Sequence, residues 1–343
     1  MMKKNITIHE LAKKLNVSAS TVSRALNNHH SISEITAANI RKEASKLGYR
    51  PNALAVALRK NKSNIIGILV NDITDYFNYN LVSKIEEILN CRGYTIMILQ
   101  CLDNLIDEEE NAKLLRAHNI SGLIIVLGTK LSNVKNYEIF KDEETPLILI
   151  SQECLSIKSL TIQVDYFIAA RRVVNHFLKE GFSKLAFLSD SKELLLRNQK
   201  YDGFIKGLID NGYEVEDSRI IKVDSCSQSS AYKSFEKLWK SSFRPDAIFC
   251  TDDYCALGVM QYAKENNIKI PEDLSIVGCN NSDFTSIVEP PLSTLSYPSQ
   301  EIGELASTLI IDWIEGKKVF NKLNLKIVVE SILIVRQSSK IST

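Results

Sequence analysis

The sequence predicts two architectures in one chain: an all-α head carrying a helix-turn-helix, followed by an α/β body of two Rossmann-like subdomains. Three observations predict it. The first 62 residues hold twelve Lys and Arg against three acids, a surplus of nine. The remainder holds thirty bases against thirty-eight acids, a deficit of eight. Apolar residues recur at helical spacing in the head, whereas from Ile65 onward short apolar runs alternate with amphipathic stretches. A folded basic head on an acidic body points to a polyanionic partner at one end.

The head, residues 1–50, reads as three helices. Thr7-Ile8-His9-Glu10 has the capping-box form, and Ile8, Leu11, Ala12 and Leu15 follow on one face. Asn16 tolerates the left-handed conformation that a tight turn requires. Ser18 caps a second helix from Ala19 to about Asn27, whose Val22, Ala25 and Leu26 face inward. Ser33 caps a third, lined by Ile40, Ala44 and Leu47 and ended by Gly48. In such a unit the second helix enters the major groove. Ala19, Ser20, Ser23 and Arg24 then face outward, with Arg24 suited to guanine or phosphate. Thr7, Thr21, Ser23 and Asn27 suit phosphate oxygens. The competing reading, a helix-turn-helix used only for packing, leaves the charge surplus without a purpose.

Residues 51–62 form a linker. Pro51 suits the first turn of a short helix over Asn52–Lys60, with Ala55 and Leu58 on one face. Spacing alone assigns Leu58 to ordinary packing. In the body, residues 63–343, candidate strands are 65–70, 94–100, 121–126, 146–150, 184–188, 246–250 and 274–278. Helices are expected between them at 79–91, 107–118, 167–180, 199–211, 228–240, 254–266 and 299–315. This alternation implies parallel sheets with helices on both faces, and its length implies two subdomains. Ligands of such sheets bind beyond the carboxyl ends of the strands.

Seven cysteines without a C-x-x-C pair argue against disulfides and zinc, and most sit in apolar runs. Five scattered histidines, and no nucleophile elbow, P-loop or dinucleotide fingerprint, argue against an enzyme; no metal, no cofactor and no catalytic residue is expected. The pair Asp252-Asp253 is more simply a helix cap than an acid–base couple. No run approaches the roughly 20 apolar residues of a membrane span, and no signal-peptide pattern is present, so the expected location is the cytoplasm, away from any membrane.

The string Ile6-Thr7-Ile8, Leu11-Ala12 and Asn16 through Asn27 resembles the N-terminal signature of the lactose-repressor/galactose-repressor (LacI/GalR) family, and Leu47 through Ala55 resembles its hinge. Asn16 stands where that family usually has Gly. Further stretches resemble family motifs: Ile66-Gly67-Ile68, Thr251 through Gly258, Pro271 through Gly278, Pro290 through Thr294, and Val335 through Ser338. The resemblance implies a periplasmic-binding-protein type of body. Its first subdomain would comprise about 63–162 with 292–323, its second 163–290 with 324–336.

It also implies a homodimer on pseudo-palindromic double-stranded operator DNA. Tyr49, Asn52, Ala55 and Arg59 would join the DNA contacts, and Leu58 would act as a minor-groove wedge. The effector residues it implies are Asp72, Phe77, Asn104, Asp165, Lys200, Asp252, Asn280 and Tyr297, a mixed polar and aromatic set suited to a sugar or sugar phosphate. For each, a structural role is the competing reading. Lys200 stands where the family mostly has Arg, and Asp252 and Asn280 exchange an acid and an amide. Phe182 and Asp190 depart from a frequent His and Gly-Pro, which points to a changed ligand. The implied function is a repressor of carbohydrate-utilisation genes. The alternatives are control by a protein co-regulator or corepressing ligand, and a sugar-binding protein without DNA function. The basic head argues against the last.

Overall fold

The computed structural model describes residues 6–26, 29, 31–49, 63–101, 105–126, 140, 145–150, 160–190, 199–317 and 325–340. The chain divides into two compact units at Ser63/Asn64. Asn27, Asn52, Ala55, Leu58, Arg59 and Asn104 lie outside the described residues.

The first unit contains α1 (Ile8–Leu15), α2 (Ala19–Leu26) and α3 (Glu34–Lys46). The capping box closes in both directions: Glu10 N–H donates to Thr7 Oγ1 (3.3 Å) and Thr7 N–H to Glu10 Oε2 (2.7 Å). Asn16 takes the left-handed conformation at φ 50°, and Val17 N–H reaches back to Ala12 O at 3.0 Å, closing the turn into α2. Leu11, Val22 and Ala25 are fully buried, with Ala37, Ile40 and Ala44 of α3 beneath them.

The second unit holds two six-stranded sheets. The first is ordered β11-β5-β4-β3-β1-β2, with β1 Ile65–Val70, β2 Thr95–Gln100, β3 Gly122–Val126, β4 Leu147–Ile150, β5 Leu160–Val164 and β11 Lys326–Val329. All its pairings are parallel. The second is ordered β12-β10-β9-β8-β6-β7, with β6 Leu185–Asp190, β7 Ile220–Val223, β8 Ala247–Cys250, β9 Ser275–Cys279, β10 Ser293–Ser296 and β12 Ile332–Ile334. Among its described strands only β12 runs antiparallel, against β10. The central strands β1, β3, β4 and β8 read as unbroken apolar runs because helices cover both faces.

The helices are α4 (Tyr76–Cys91), α5 (Leu105–Ala117), α6 (Tyr166–Lys179), α7 (Gln199–Asp210), α8 (Gln228–Trp239), α9 (Asp253–Glu265) and α10 (Ser299–Ile314). None among the described residues is long and apolar enough to cross a membrane. The chain passes between the sheets three times: after β5, after β10 and between β11 and β12.

This corrects the expected division. Residues 293–295 pair with β9 in the second sheet, so the return crossing falls after them and not at 292. Residues 326–329 pair with β5 in the first sheet, so 324 does not open the second subdomain. Both strands are four residues long, and Ser293, Thr294 and Ser296 give β10 little apolar signal.

Close helix pairs depend on glycine. A Cβ on Gly203 of α7 would lie 2.2 Å from the Phe167 carbonyl oxygen of α6. Backbone cannot yield as a side-chain tip does. Gly203→Ala is therefore expected to destabilise the body by about 2 kcal/mol, read as a lowered denaturant midpoint; an unchanged midpoint contradicts the packing argument.

Candidate functional site

The head presents a hydroxyl-rich helix entrance. Thr21 N–H donates to Ser18 Oγ (3.1 Å), so Ser18 caps α2. The Ser18 hydroxyl also lies 2.7 Å from that of Ser20 and 2.8 Å from that of Thr21. Ser20 and Arg24 are exposed, Thr21 and Ser23 half-buried. Ala19, expected to face outward, is half-buried against the three-helix core. Its small side chain serves packing and close approach together. Thr7 lies exposed at the start of α1, and Tyr49 packs partly on the core just past α3. A helix N-terminus with three hydroxyls and a guanidinium one turn on can hold phosphate oxygens and reach a base edge.

In the body, polar and aromatic side chains converge at the carboxyl ends of the strands. Lys200, near the start of α7, is 6% exposed. Its Nζ donates to the Thr251 carbonyl (3.3 Å) just beyond β8. The same ammonium lies 5.4 Å from the Tyr166 ring centroid and 5.6 Å from that of Tyr297. Those two rings meet edge to face at 4.7 Å, and Phe77 meets Tyr297 at 6.3 Å. Tyr297 OH takes part in a 2.8 Å hydrogen bond with the Cys279 thiol. A buried cation is thus placed over two electron-rich ring faces.

The balancing carboxylates follow β8 and β1. Asp252 accepts from Tyr254 N–H (2.8 Å) as the cap of α9, and its other oxygen accepts from Asn280 Nδ2 (3.0 Å). Burial raises its pKa to about 6, against the opposing pull of the Tyr254 N–H and of Lys200. Asp75 caps α4 through Asn78 N–H (3.0 Å); burial raises its pKa too, and Lys200 again pulls it down. Asp72 folds back on Thr74, accepting from its N–H (2.8 Å) and hydroxyl (2.7 Å), and contributes its charge to Asp75. Asp165 caps α6 through Ile168 N–H (2.8 Å) and so sets the position of Tyr166.

The structure therefore brings together Lys200, Asp252, Asn280, Tyr297 and Phe77 from the expected set. Asp165 and Asp72 serve turns at its edge. Sequence reasoning missed Asp75 and Tyr166. Asp75 carried a legible signal, since an Asp just before an amphipathic run is a helix cap at a strand's carboxyl end. Tyr166 stood beside an expected residue but reads as one more helix aromatic.

Asp253, next to Asp252, is fully buried and structural. It accepts from Ser282 N–H and from the Thr294 hydroxyl, both at 2.8 Å, tying β9 to β10. Its two neighbours are part of the reason that sequence order alone could not separate a ligand group from a core one.

A capped helix-turn-helix joined to two facing parallel sheets with a polar, aromatic-lined site at their strand ends defines a DNA-binding transcription regulator with a ligand-binding body. Known proteins agree. Residues 7–52 match the family of bacterial regulatory proteins called lacI, and residues 174–339 match the periplasmic binding protein-like domain. The NTD biosynthesis operon regulator NtdR of Bacillus subtilis (strain 168) is 31% identical over 333 residues, covering 97% of this chain and 99% of that protein. The HTH-type transcriptional repressor CytR of Escherichia coli (strain K12) is 29% identical over 334 residues, covering 97% and 96%. The lac repressor dimer bound to operator and the anti-inducer ONPF shares the fold, with a TM-score of 0.85 at 20% identity, covering 98% and 100%. The chain belongs to the lacI family of bacterial regulatory proteins.

The raised carboxyl pKa values have a signed consequence. The unfolded chain loses these protons near pH 4, whereas folded Asp253 keeps its proton to about 7 and Asp252 to about 6. The folded state thus binds more protons over that window, and the two groups make stability fall as pH rises from about 4 to about 7. Asp253→Asn is expected to flatten this fall, measured as the difference in denaturant midpoint between about pH 4.5 and about pH 7.5. A slope equal to the wild type's refutes it.

Proposed function

We propose that the protein is a sequence-specific transcriptional repressor of carbohydrate-utilisation genes, acting as a homodimer on a pseudo-palindromic operator, with no catalytic step. A small hydroxylated ligand held between the two body sheets controls its operator affinity. The observation that carries this reading is the buried Lys200 ammonium, set over Tyr166 and Tyr297 with Asp252 and Asn280 hydrogen-bonded beside it. Ring faces suit the C–H face of a sugar, and carboxylate, amide and ammonium suit its hydroxyls. Among the described residues, Asp72, Asp75 and Asp252 outnumber the Lys200 ammonium, so an uncharged sugar fits the site better than a phosphate monoester. Ligand that binds one arrangement of the lobes more tightly shifts the population of the DNA-binding state.

DNA binding rests on the exposed Arg24 and the Ser18–Ser20–Thr21 hydroxyls at the entrance of α2. In a mobility-shift assay on the upstream region of its own gene, affinity should fall steeply with salt. Arg24→Ala should weaken specific binding by about 1–3 kcal/mol more than binding to random competitor; equal loss on both removes Arg24 from base reading.

A thermal-shift screen of sugars and sugar phosphates tests the body. A stabilising sugar should lose at least about tenfold in affinity in Lys200→Ala, the equivalent of 1.4 kcal/mol. If no compound stabilises the protein, control by a protein co-regulator replaces the sugar reading.

A further inference from the structure

Three thiols gather at one end of the second sheet, beside the candidate site but outside it. Cys250 ends β8 and Cys255 lies in the first turn of α9, both fully buried. Cys226 is exposed, in the loop between β7 and α8. The side chains of Cys226 and Cys255 are neighbours, and Cys250 lies close to Cys226 and to the Asp252–Asp253 pair.

This proximity is enforced by backbone packing. A Cβ on Gly258 would sit 2.2 Å from the Gln228 carbonyl oxygen and 2.9 Å from Tyr232 N, so the start of α8 rests directly on α9. Cys226 lies two residues before Gln228, and Cys255 one helical turn before Gly258. The loop end is held as well: Ser230 N–H donates to the cap Ser227 Oγ (3.3 Å), and the Ser225 and Ser227 hydroxyls meet at 3.1 Å. One thiol of the pair faces solvent and the other faces the core, a division of labour that a merely buried cysteine cluster lacks.

We propose that Cys226 and Cys255 form an oxidisable pair that closes into a disulfide on exposure to a hydroperoxide. The exposed Cys226 sulfur attacks a peroxide oxygen; an S–O bond forms, the O–O bond breaks, and the departing oxygen takes up the proton that the thiol gives up and leaves as water or alcohol. The Cys255 sulfur then attacks the Cys226 sulfenic acid. The S–S bond forms, the S–O bond breaks, and hydroxide leaves with the Cys255 proton as a water. With hydrogen peroxide, two thiols and one peroxide give one disulfide and two waters; two electrons pass from sulfur to oxygen. Before oxidation, the Cys226 thiol is open to solvent whereas the Cys255 thiol is fully buried. That leaves Cys226 as the sulfur that meets the oxidant. The bond would fasten the 224–227 loop to the first turn of α9, the helix capped by Asp252.

The test uses the full-length protein and hydrogen peroxide. Peptide mapping without reduction should give a Cys226–Cys255 cross-linked pair two hydrogens lighter than the separate thiols. Two of the seven thiols should vanish from a titration under denaturant and return with dithiothreitol. In Cys255→Ala, which keeps the attacking sulfur and loses the resolving one, dimedone should trap a sulfenic acid on Cys226. Cys226→Ser should leave the remaining thiols reacting no faster than exposed Cys91. Passage of wild-type Cys226 straight to sulfinic acid, a cross-link between chains, or Cys226 oxidation no faster than that of Cys91 overturns the proposal.

Discussion

The body is organised around a buried positive charge. An ammonium at 6% exposure is costly to desolvate, and the strand ends around Lys200 are arranged to compensate it. Two tyrosine faces, a backbone carbonyl and the field of two carboxylates lie around one nitrogen. These come from both sheets: Asp75 and Phe77 follow β1, Tyr166 follows β5, and Asp252, Asn280 and Tyr297 follow β8, β9 and β10. The charge is therefore satisfied only when the two sheets face one another, which links the electrostatics of the site to the arrangement of the lobes.

The same place in a parallel sheet is where helices begin, and the acids there carry two duties. Asp75, Asp165 and Asp252 each accept a backbone N–H in the first turn of a helix. A carboxylate oxygen used in this way is fixed in position, and its partner oxygen is left to a neighbour, as Asp252 shows with Asn280. Rigid caps of this kind make a preorganised lining, because a bound molecule meets side chains whose rotamers are already set.

The fold was legible where pattern was strong. The capping box at Thr7, the turn at Asn16 and the apolar runs of β1, β3, β8 and β9 stand in the sequence much as they stand in space. Strands β5, β7, β10, β11 and β12 were not assigned. Each is only three to five residues long, and Gln163 or Ser293 within them breaks the apolar signal although both are buried. The site was legible in part through family resemblance, which led to Lys200, Asp252, Asn280, Phe77 and Tyr297. Asp75 and Tyr166 escaped because their importance comes from an ammonium some 34 to 125 positions away in the chain, and no local pattern records such a neighbour.

The interleaved path of the backbone limits what this body can do. Since the polypeptide leaves the first sheet after β5, returns after β10 and leaves again between β11 and β12, neither lobe is a continuous stretch. Cutting the gene at 290 would strip β10 from one sheet and β11 from the other, so the lobes cannot be made or lost separately in evolution as modules can. Three stretches of covalent chain tether them, so relative motion is held to a swing about those tethers instead of a drifting apart. A sensor assembled this way reports occupancy as an angle.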